Sequence, residues 1–184
     1  MKNKVIKLNS DARIALLNGI EVLSKSVGAT LGPAGRNVVI ESDYELPFST
    51  KDGVTVAKSI KLKDSFENIG AQLVKEASIQ TNDSVGDGTT TAVVLAHEII
   101  NEGLKTLTNG INAIELKRGI EKGVKYVVSE LEKQSIPVTN NKELHQIATI
   151  SANGDEEIGK MIAEAMDEVG KDGVIMIEDA KTSE

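Results

Sequence analysis

Residues 85–94, VGDGTTTAVV, join two glycines around an aspartate to three threonines and then to the start of an apolar helical pattern. Glycine allows a backbone to approach a ligand closely because it has no Cβ. The free N–H groups and the dipole of a helix N-terminus both favour phosphate binding. The same residues also fit an ordinary glycine turn followed by a threonine N-cap, and local spacing alone favours neither interpretation.

Asp87 points to the chemistry that such a phosphate site would need. A carboxylate repels a phosphate unless a cation lies between them, and Mg²⁺ commonly binds one or two carboxylates together with phosphate oxygens and waters. Gly86 and Gly88 would bring the backbone close to the ligand. The hydroxyl donors of the same stretch are Thr89, Thr90 and Thr91. The stretch thus predicts a nucleotide-phosphate and magnesium site.

Two further loops of similar character precede this stretch. TLGPAGRN (30–37) lies where a helix ends, and taken alone it is more often a plain helix stop. TKDG (50–53) places Lys51 and Asp52 at a turn, where a carboxylate is usually a turn former. Opposite a bound phosphate, Lys51 would neutralise charge and Asp52 would orient or deprotonate a water. Three such loops in one short region favour a binding site over three unrelated turns.

Apolar spacing predicts a mainly α fold with small β elements. We expect a first helix that is capped by Asn9, Ser10 or Asp11 and ends at TLGPAGRN. A small hairpin follows, formed by 36–41 and 48–53 with an Asp-Gly turn at its end. Later helices are predicted from Phe66 to about Gly86, from the threonines to Asn109-Gly110, over 116–131, and over roughly 141–150 and 155–169.

The last predicted element is a strand, VIMIE (174–178), which has no obvious partner nearby. A lone strand leaves an unpaired edge, so we expect the chain to be a truncated piece of a longer protein. A domain boundary is predicted near residue 135.

Composition excludes several classes of protein. The 184 residues are 40% hydrophobic and 27% charged, as in soluble globular proteins, and the net charge of −7 argues against a nucleic-acid or anionic-membrane surface. The absence of cysteine excludes disulfides, thiolate metal sites and a cysteine nucleophile. With no signal peptide, transit peptide or long apolar segment, the sequence predicts a cytoplasmic protein. P-loop, dinucleotide-binding, EF-hand and H-E-x-x-H zinc patterns do not match.

Longer motifs closely resemble the N-terminal part of the group I (GroEL-type) chaperonins, and the resemblance extends over essentially the whole chain. The motifs that carry it are TLGPAGRN, TKDGVTVAKSI, FENIGAQLVKE, NDSVGDGTTTA, ELKRGIEKGV and TISANGDEEIGKMIAEAMDEVGKDGVI. The resemblance implies a ring-forming, ATP-driven folding chaperone that binds ATP and Mg²⁺ in its equatorial domain. It also implies unfolded protein clients and a co-chaperonin as partners, without nucleic acid or membrane.

The resemblance also implies roles for individual residues. The nucleotide would contact Thr30, Leu31, Gly32 and Pro33, then Lys51, and then the loop Asp87, Gly88, Thr89, Thr90 and Thr91. Asp87 would hold the magnesium ion, and Asp52 would be the catalytic carboxylate that assists the attacking water. Ile150 would contact the base.

Family subunits are about three times as long as this chain. The resemblance therefore implies that 1–135 form the N-terminal part of the equatorial domain and 136–184 the ascending part of the intermediate domain. The apical domain, the C-terminal equatorial helices and the second catalytic carboxylate would be absent. Two functions stay open: a chaperonin ATPase subunit, or a truncated nucleotide-binding or ring-interaction fragment that has no ATPase or folding activity of its own.

Overall fold

The chain folds as two units, Met1–Lys122 and Gly123–Glu184, whose boundary falls inside a long helix. The structure is a computed structural model, which describes residues 5–41, 46–152, 154–170 and 173–176. The expected division into an equatorial part, 1–135, and an intermediate part, 136–184, remains a prediction.

The first unit is a group of helices with one small sheet. Its elements are α1 (Asn9–Gly28), β1 (Val38–Ile40), β2 (Phe48–Thr50), α2 (Gly53–Ser59), α3 (Ser65–Val85), α4 (Thr89–Thr108) and the beginning of α5 (Ala113–Gln134). The two strands pair antiparallel, with Val38 opposite Thr50 and Ile40 opposite Phe48. The mainly α fold with small β elements is thereby confirmed.

Helices α1 and α3 cross in close contact because each places a glycine against the backbone of the other. A Cβ on Gly19 of α1 would collide with the carbonyl group of Glu67, and a Cβ on Gly70 of α3 would collide with that of Leu16. This close approach brings together a core of aliphatic side chains from α1, α2, α3 and α4. The core residues are Ile20, Leu23, Val27, Val56, Ala57, Ala71, Val74 and Val93.

The turn between α3 and α4 uses two left-handed glycines. Gly86 ends α3 with φ of 77°, and its N–H donates to the carbonyl oxygen of Asn82. Gly88, also with φ of 77°, is the N-cap of α4. Residues with a Cβ rarely adopt this conformation, so the glycines allow one helix to end and the next to begin within three residues.

Three local predictions differ from the structure. Leu8 is the N-cap residue of α1, no side chain caps the helix, and Asn9 instead has a left-handed φ of 53°. Asp52-Gly53 starts helix α2 and does not close the hairpin. Residues 174–176 of the predicted strand 174–178 have no regular structure, and 177 and 178 lie outside the described residues.

The second unit contains the end of α5 together with α6 (Asn141–Ser151) and α7 (Glu156–Val169). Asn140 and Asp155 cap α6 and α7 by accepting hydrogen bonds from N–H groups of their first turns. Gly159 of α7 lies directly against Thr149 of α6, so the two helices pack closely. No helix within the described ranges is long and apolar enough to cross a membrane.

Candidate functional site

Three loops of the first unit meet around an open cleft of about 240 Å³. One loop follows α1, the second precedes α2, and the third joins α3 to α4. The residues that line the cleft are Thr30, Leu31, Gly32, Lys51, Asp52, Gly53, Asp87, Gly88, Thr89, Thr90 and Thr91. Sequence-distant glycine and hydroxyl residues are therefore brought into one place.

The first loop is closed by its own backbone hydrogen bonds. The N–H of Arg36 donates to the carbonyl oxygen of Ala29 at 2.8 Å, and the N–H of Gly35 donates to that of Gly32 at 2.9 Å. Gly32 has a left-handed φ of 70°, and a Cβ on Gly35 would collide with the Thr30 carbonyl group. The two glycines thus permit a tight loop whose first residues face the cleft.

Asp52 in the second loop is both a cleft residue and the N-cap of α2. Its Oδ2 accepts the backbone N–H of Thr55 at 2.9 Å and also the hydroxyl of Thr55. Oδ1 has no partner among the described residues, so one oxygen of this exposed carboxylate is available to a ligand or water. Lys51, directly before it, is exposed as well.

The far end of α2 is held by Lys75 of α3. Its Nζ donates to the carbonyl oxygens of Ile60 at 2.7 Å and Lys58 at 3.3 Å. Burial lowers the pKa of the Lys75 amino group. Both ends of α2 are consequently held by side-chain hydrogen bonds, made by Lys75 at the end of the helix and by the cleft residue Asp52 at its start.

The third loop presents a carboxylate and an uncapped helix start. Oδ1 of Asp87 accepts the N–H of Gly88 at 2.6 Å, and the side chain is exposed. Gly88 has no side chain with which to cap α4, and in the described part of the chain no acceptor pairs with the N–H groups of Thr89, Thr90 and Thr91. Such groups are ready donors to an anion.

Direct contacts join the three loops to one another. The hydroxyl oxygens of Thr30 and Thr90 lie 3.2 Å apart. Gly53, at the start of α2, is buried against Thr90, so that a Cβ there would collide with the Thr90 hydroxyl oxygen. Thr90 therefore contacts both of the other loops.

Most of the residues that the sequence singled out lie in this cleft. Pro33 follows Gly32 in the first loop but is outside the set of lining residues. Ile150 lies in the second unit, on α6, and is exposed. Gly53 was not predicted as a site residue. The TKDG motif could have indicated this role for Gly53, because a glycine directly after a cleft carboxylate allows a neighbouring loop to come close.

The cleft has a donor set that fits a polyphosphate with a divalent cation. Lys51 supplies one positive charge, while Asp52 and Asp87 supply two negative charges, so a bare polyphosphate would meet net repulsion. Among the described residues no three His, Asp or Glu side chains cluster to hold a metal on their own. A hard cation at Asp87 would therefore need oxygens from the bound ligand, as Mg²⁺ with nucleotides generally does.

A family model and several solved structures that match this chain all belong to chaperonins. A family model described as the TCP-1/cpn60 chaperonin family matches residues 23–183. The chaperonin gp146 from the bacteriophage EL 2 (Pseudomonas aeruginosa), crystallised in the presence of ATP-BeFx, is 31% identical with a TM-score of 0.71 in one crystal form. In another form the values are 30% and 0.72. A group III chaperonin in the open state, 24% identical with a TM-score of 0.71, shares the fold.

These structures are much longer than the present chain. The matches cover 85% and 87% of this chain but only 28% of gp146 in the two forms, and 86% of this chain against 32% of the group III chaperonin. The family model, by contrast, matches most of the sequence, including the loops around the cleft. The chain belongs to the TCP-1/cpn60 chaperonin family.

Proposed function

We propose that the cleft binds ATP with Mg²⁺ and that the chain acts as the N-terminal part of an ATP-dependent chaperonin subunit. The observation that carries the proposal is the meeting of the three loops, which places Lys51, Asp52 and Asp87 beside the uncapped start of α4. Each loop taken alone has an ordinary structural explanation. Their meeting in one polar cleft favours a common ligand.

Each group of cleft residues would have a role in nucleotide binding or hydrolysis that follows from its chemistry. The N–H groups at the start of α4 would donate to phosphate oxygens, and Lys51 would offset phosphate charge. Asp87 would hold Mg²⁺, which would supply positive charge to offset that of the phosphates. Thr30, Leu31 and Gly32 would form the opposite wall of the site. Oδ1 of Asp52, which has no partner among the described residues, would accept a hydrogen bond from the attacking water and orient it.

The family relationship supports the same ligand. gp146 was crystallised in the presence of ATP-BeFx, and its similarity to this chain extends over 85% of the present residues. The wider activity follows as a proposal from the chaperonin family: ring assembly with further copies, folding of unfolded protein clients, and cooperation with a co-chaperonin.

A second candidate function is a nucleotide-binding or ring-interaction fragment without turnover. The exposed apolar surface favours it, because α5 has no buried residue although Val124, Val127 and Leu131 lie along it. Apolar faces of this kind are typical of surfaces that another polypeptide covers. As a nucleotide-binding fragment, the second candidate shares the nucleotide site with the first but lacks ATP hydrolysis and folding activity of its own.

Calorimetry on the 184-residue chain tests the shared part of the proposal. We expect ATP and ADP to bind in the presence of Mg²⁺ and to bind much more weakly in EDTA. Asp87→Asn preserves an oxygen that can accept the Gly88 N–H but removes the charge, so it should abolish the Mg²⁺-dependent gain in affinity. Binding that is identical with and without Mg²⁺ would contradict the metal role of Asp87, and absence of nucleotide binding would contradict the proposal.

Measurement of phosphate release then separates the two candidates. Steady release by the wild-type chain supports the ATPase subunit. Binding without release supports the fragment.

A further inference from the structure

We propose that Thr90 is a positioning residue whose hydroxyl donates to Thr30 and thereby ties the start of α4 to the loop after α1 before any ligand binds. A hydroxyl has one proton to donate and two lone pairs to accept with. The Thr30 hydroxyl donates its proton to the carbonyl oxygen of Val27 at 2.8 Å. The 3.2 Å contact between the two threonine hydroxyls must then have Thr90 as its donor.

The surroundings of Thr90 show that its side chain lies where all three loops meet, and we call this meeting point the junction. Thr30 is buried, with 9% of its surface exposed, so its hydroxyl has little access to water as an alternative partner. On another side, the Thr90 hydroxyl oxygen lies against Gly53, which starts α2 directly after Asp52. One side chain of α4 therefore contacts both of the other loops that line the cleft.

The direction of the bond changes what Thr90 can offer a nucleotide. Its only proton is committed to Thr30, so it is not available to a phosphate oxygen. The phosphate donors at the start of α4 are then the backbone N–H groups, together with the hydroxyl of the exposed Thr91. Thr90 acts through geometry, because it holds those N–H groups in place relative to Lys51 and Asp52.

This inference rests on the proposed nucleotide site, and its test is arranged so that the two can fail separately. The ligand-free chain is measured first, by amide hydrogen exchange at Ala92, whose N–H donates to the Gly88 carbonyl oxygen across the first turn of α4. Mg²⁺-ADP affinity is then measured by calorimetry on the same proteins. The variants are Thr90→Val, Thr30→Val and their combination.

Two further variants serve as controls. Thr90→Ser retains the hydroxyl and should behave as the wild type. Thr106→Val makes the same change on α4 at an exposed hydroxyl that donates to the Glu102 carbonyl oxygen, well along the helix from the cleft. It should leave both measurements unchanged.

Loss of one hydrogen bond predicts exchange at Ala92 about 5-fold faster in Thr90→Val. Exchange should be at least as fast in Thr30→Val, which also loses the bond to the Val27 carbonyl oxygen. Since both variants remove the bond between the two hydroxyls, the double variant should exchange no faster than Thr30→Val alone, and Mg²⁺-ADP affinity should follow the same non-additive pattern. Wild-type exchange in Thr90→Val, or effects that multiply in the double variant, would overturn the proposal. Weaker ADP binding by Thr90→Val with unchanged ligand-free exchange would also overturn it and make Thr90 a direct ligand. If the two variants affect exchange at Ala92 non-additively but the wild-type chain binds no ADP, the Thr30–Thr90 bond is supported and the nucleotide site is contradicted.

Discussion

Asp52 and Thr55 form a two-point N-cap in which a single carboxylate oxygen of Asp52 accepts both the backbone N–H and the hydroxyl of Thr55. The arrangement gives Asp52 a structural role at the start of α2. It also fixes the carboxylate within the cleft and leaves Oδ1 without a partner among the described residues. Capping and water orientation are therefore compatible in one side chain.

Asp52→Asn separates the capping role of Asp52 from the proposed orientation of a water. Asparagine is as good an N-cap as aspartate, so α2 and nucleotide binding should be preserved. The carboxylate charge is lost, so single-turnover ATP hydrolysis should slow by about 10²-fold or more. Asp52→Ala, which loses the cap as well, should in addition lower the thermal stability of the chain. Equal loss of affinity and rate in Asp52→Asn would make Asp52 a ligand of the nucleotide.

Gly53→Ala tests the close contact between α2 and α4. The backbone at Gly53 suits any residue, but the added methyl group would collide with the Thr90 hydroxyl oxygen. Overpacking of this kind costs about 1–3 kcal/mol in unfolding free energy and would move Asp52 away from α4. Denaturant unfolding and Mg²⁺-ADP calorimetry should both show a loss. The control is Gly119→Ala on α5, where the added methyl group meets nothing within 4 Å and helix propensity favours alanine. Equal behaviour of the two variants would contradict the contact.

Asp64 provides a pH-dependent test of the α3 cap. Its Oδ1 accepts the N–H groups of Phe66 and Glu67, and the hydrogen bond from Glu67 is the main cause that lowers the pKa of this carboxyl below its ordinary 3.8. A lowered folded-state pKa gives stability that is present above 3.8 and is lost as pH falls below it.

Asp64→Ala should therefore reduce the denaturant midpoint at pH 7, and the difference from wild type should shrink as the pH drops below 3.8. Asp64→Asn, which preserves a capping oxygen, should be nearer to wild type at pH 7. A difference that is constant with pH would show that the charge of Asp64 does not contribute.

The exposed apolar stripe of α5, formed by Val124, Val127 and Leu131, predicts self-association of the isolated chain. Val127 is 53% exposed and Leu131 59% exposed in a helix without a single buried residue. Val127→Glu should shift the sedimentation profile towards monomer, because it places a charge on the stripe. Ser129→Glu introduces the same residue about 200° away around the helix and should leave the profile unchanged. A wild-type chain that sediments as a single monomeric species would contradict this prediction.

The longer helices could be predicted from the sequence because their apolar residues repeat over several turns and glycines mark their ends. α3 and α4 begin and end close to the predicted positions on either side of Gly86 and Gly88. α2 was missed because seven residues give less than two full turns of periodicity and Asp-Gly is also a typical turn pair. The predicted cap of α1 was wrong because propensity favours Asn, Ser and Asp at an N-cap, whereas the helix begins directly after Leu8, which has no capping side chain.

The chemistry of the cleft could also be anticipated, although its assembly could not be worked out from local patterns. Glycine, threonine and aspartate beside helix ends suggested phosphate and a cation, and the chaperonin resemblance named the residues. The meeting of the loops depends instead on how closely α1 and α3 approach, which is set by Gly19 and Gly70 facing the partner backbone. A single glycine inside a helical pattern does not reveal which helix it will contact. The Thr30–Thr90 bond depends on the same packing.

Lys75 gives helix α2 a second anchor, and this makes the position of Asp52 a property of α3 as well. A helix of seven residues has little stability of its own, so its direction is decided by what holds its ends. Its last carbonyl groups are held by an amino group of α3, and its first turn lies against α4. A rotation of α3 relative to α4 would therefore tilt α2 and displace the carboxylate of Asp52 at its start. A change in helix packing would thus alter the position at which this carboxylate can hydrogen-bond a water.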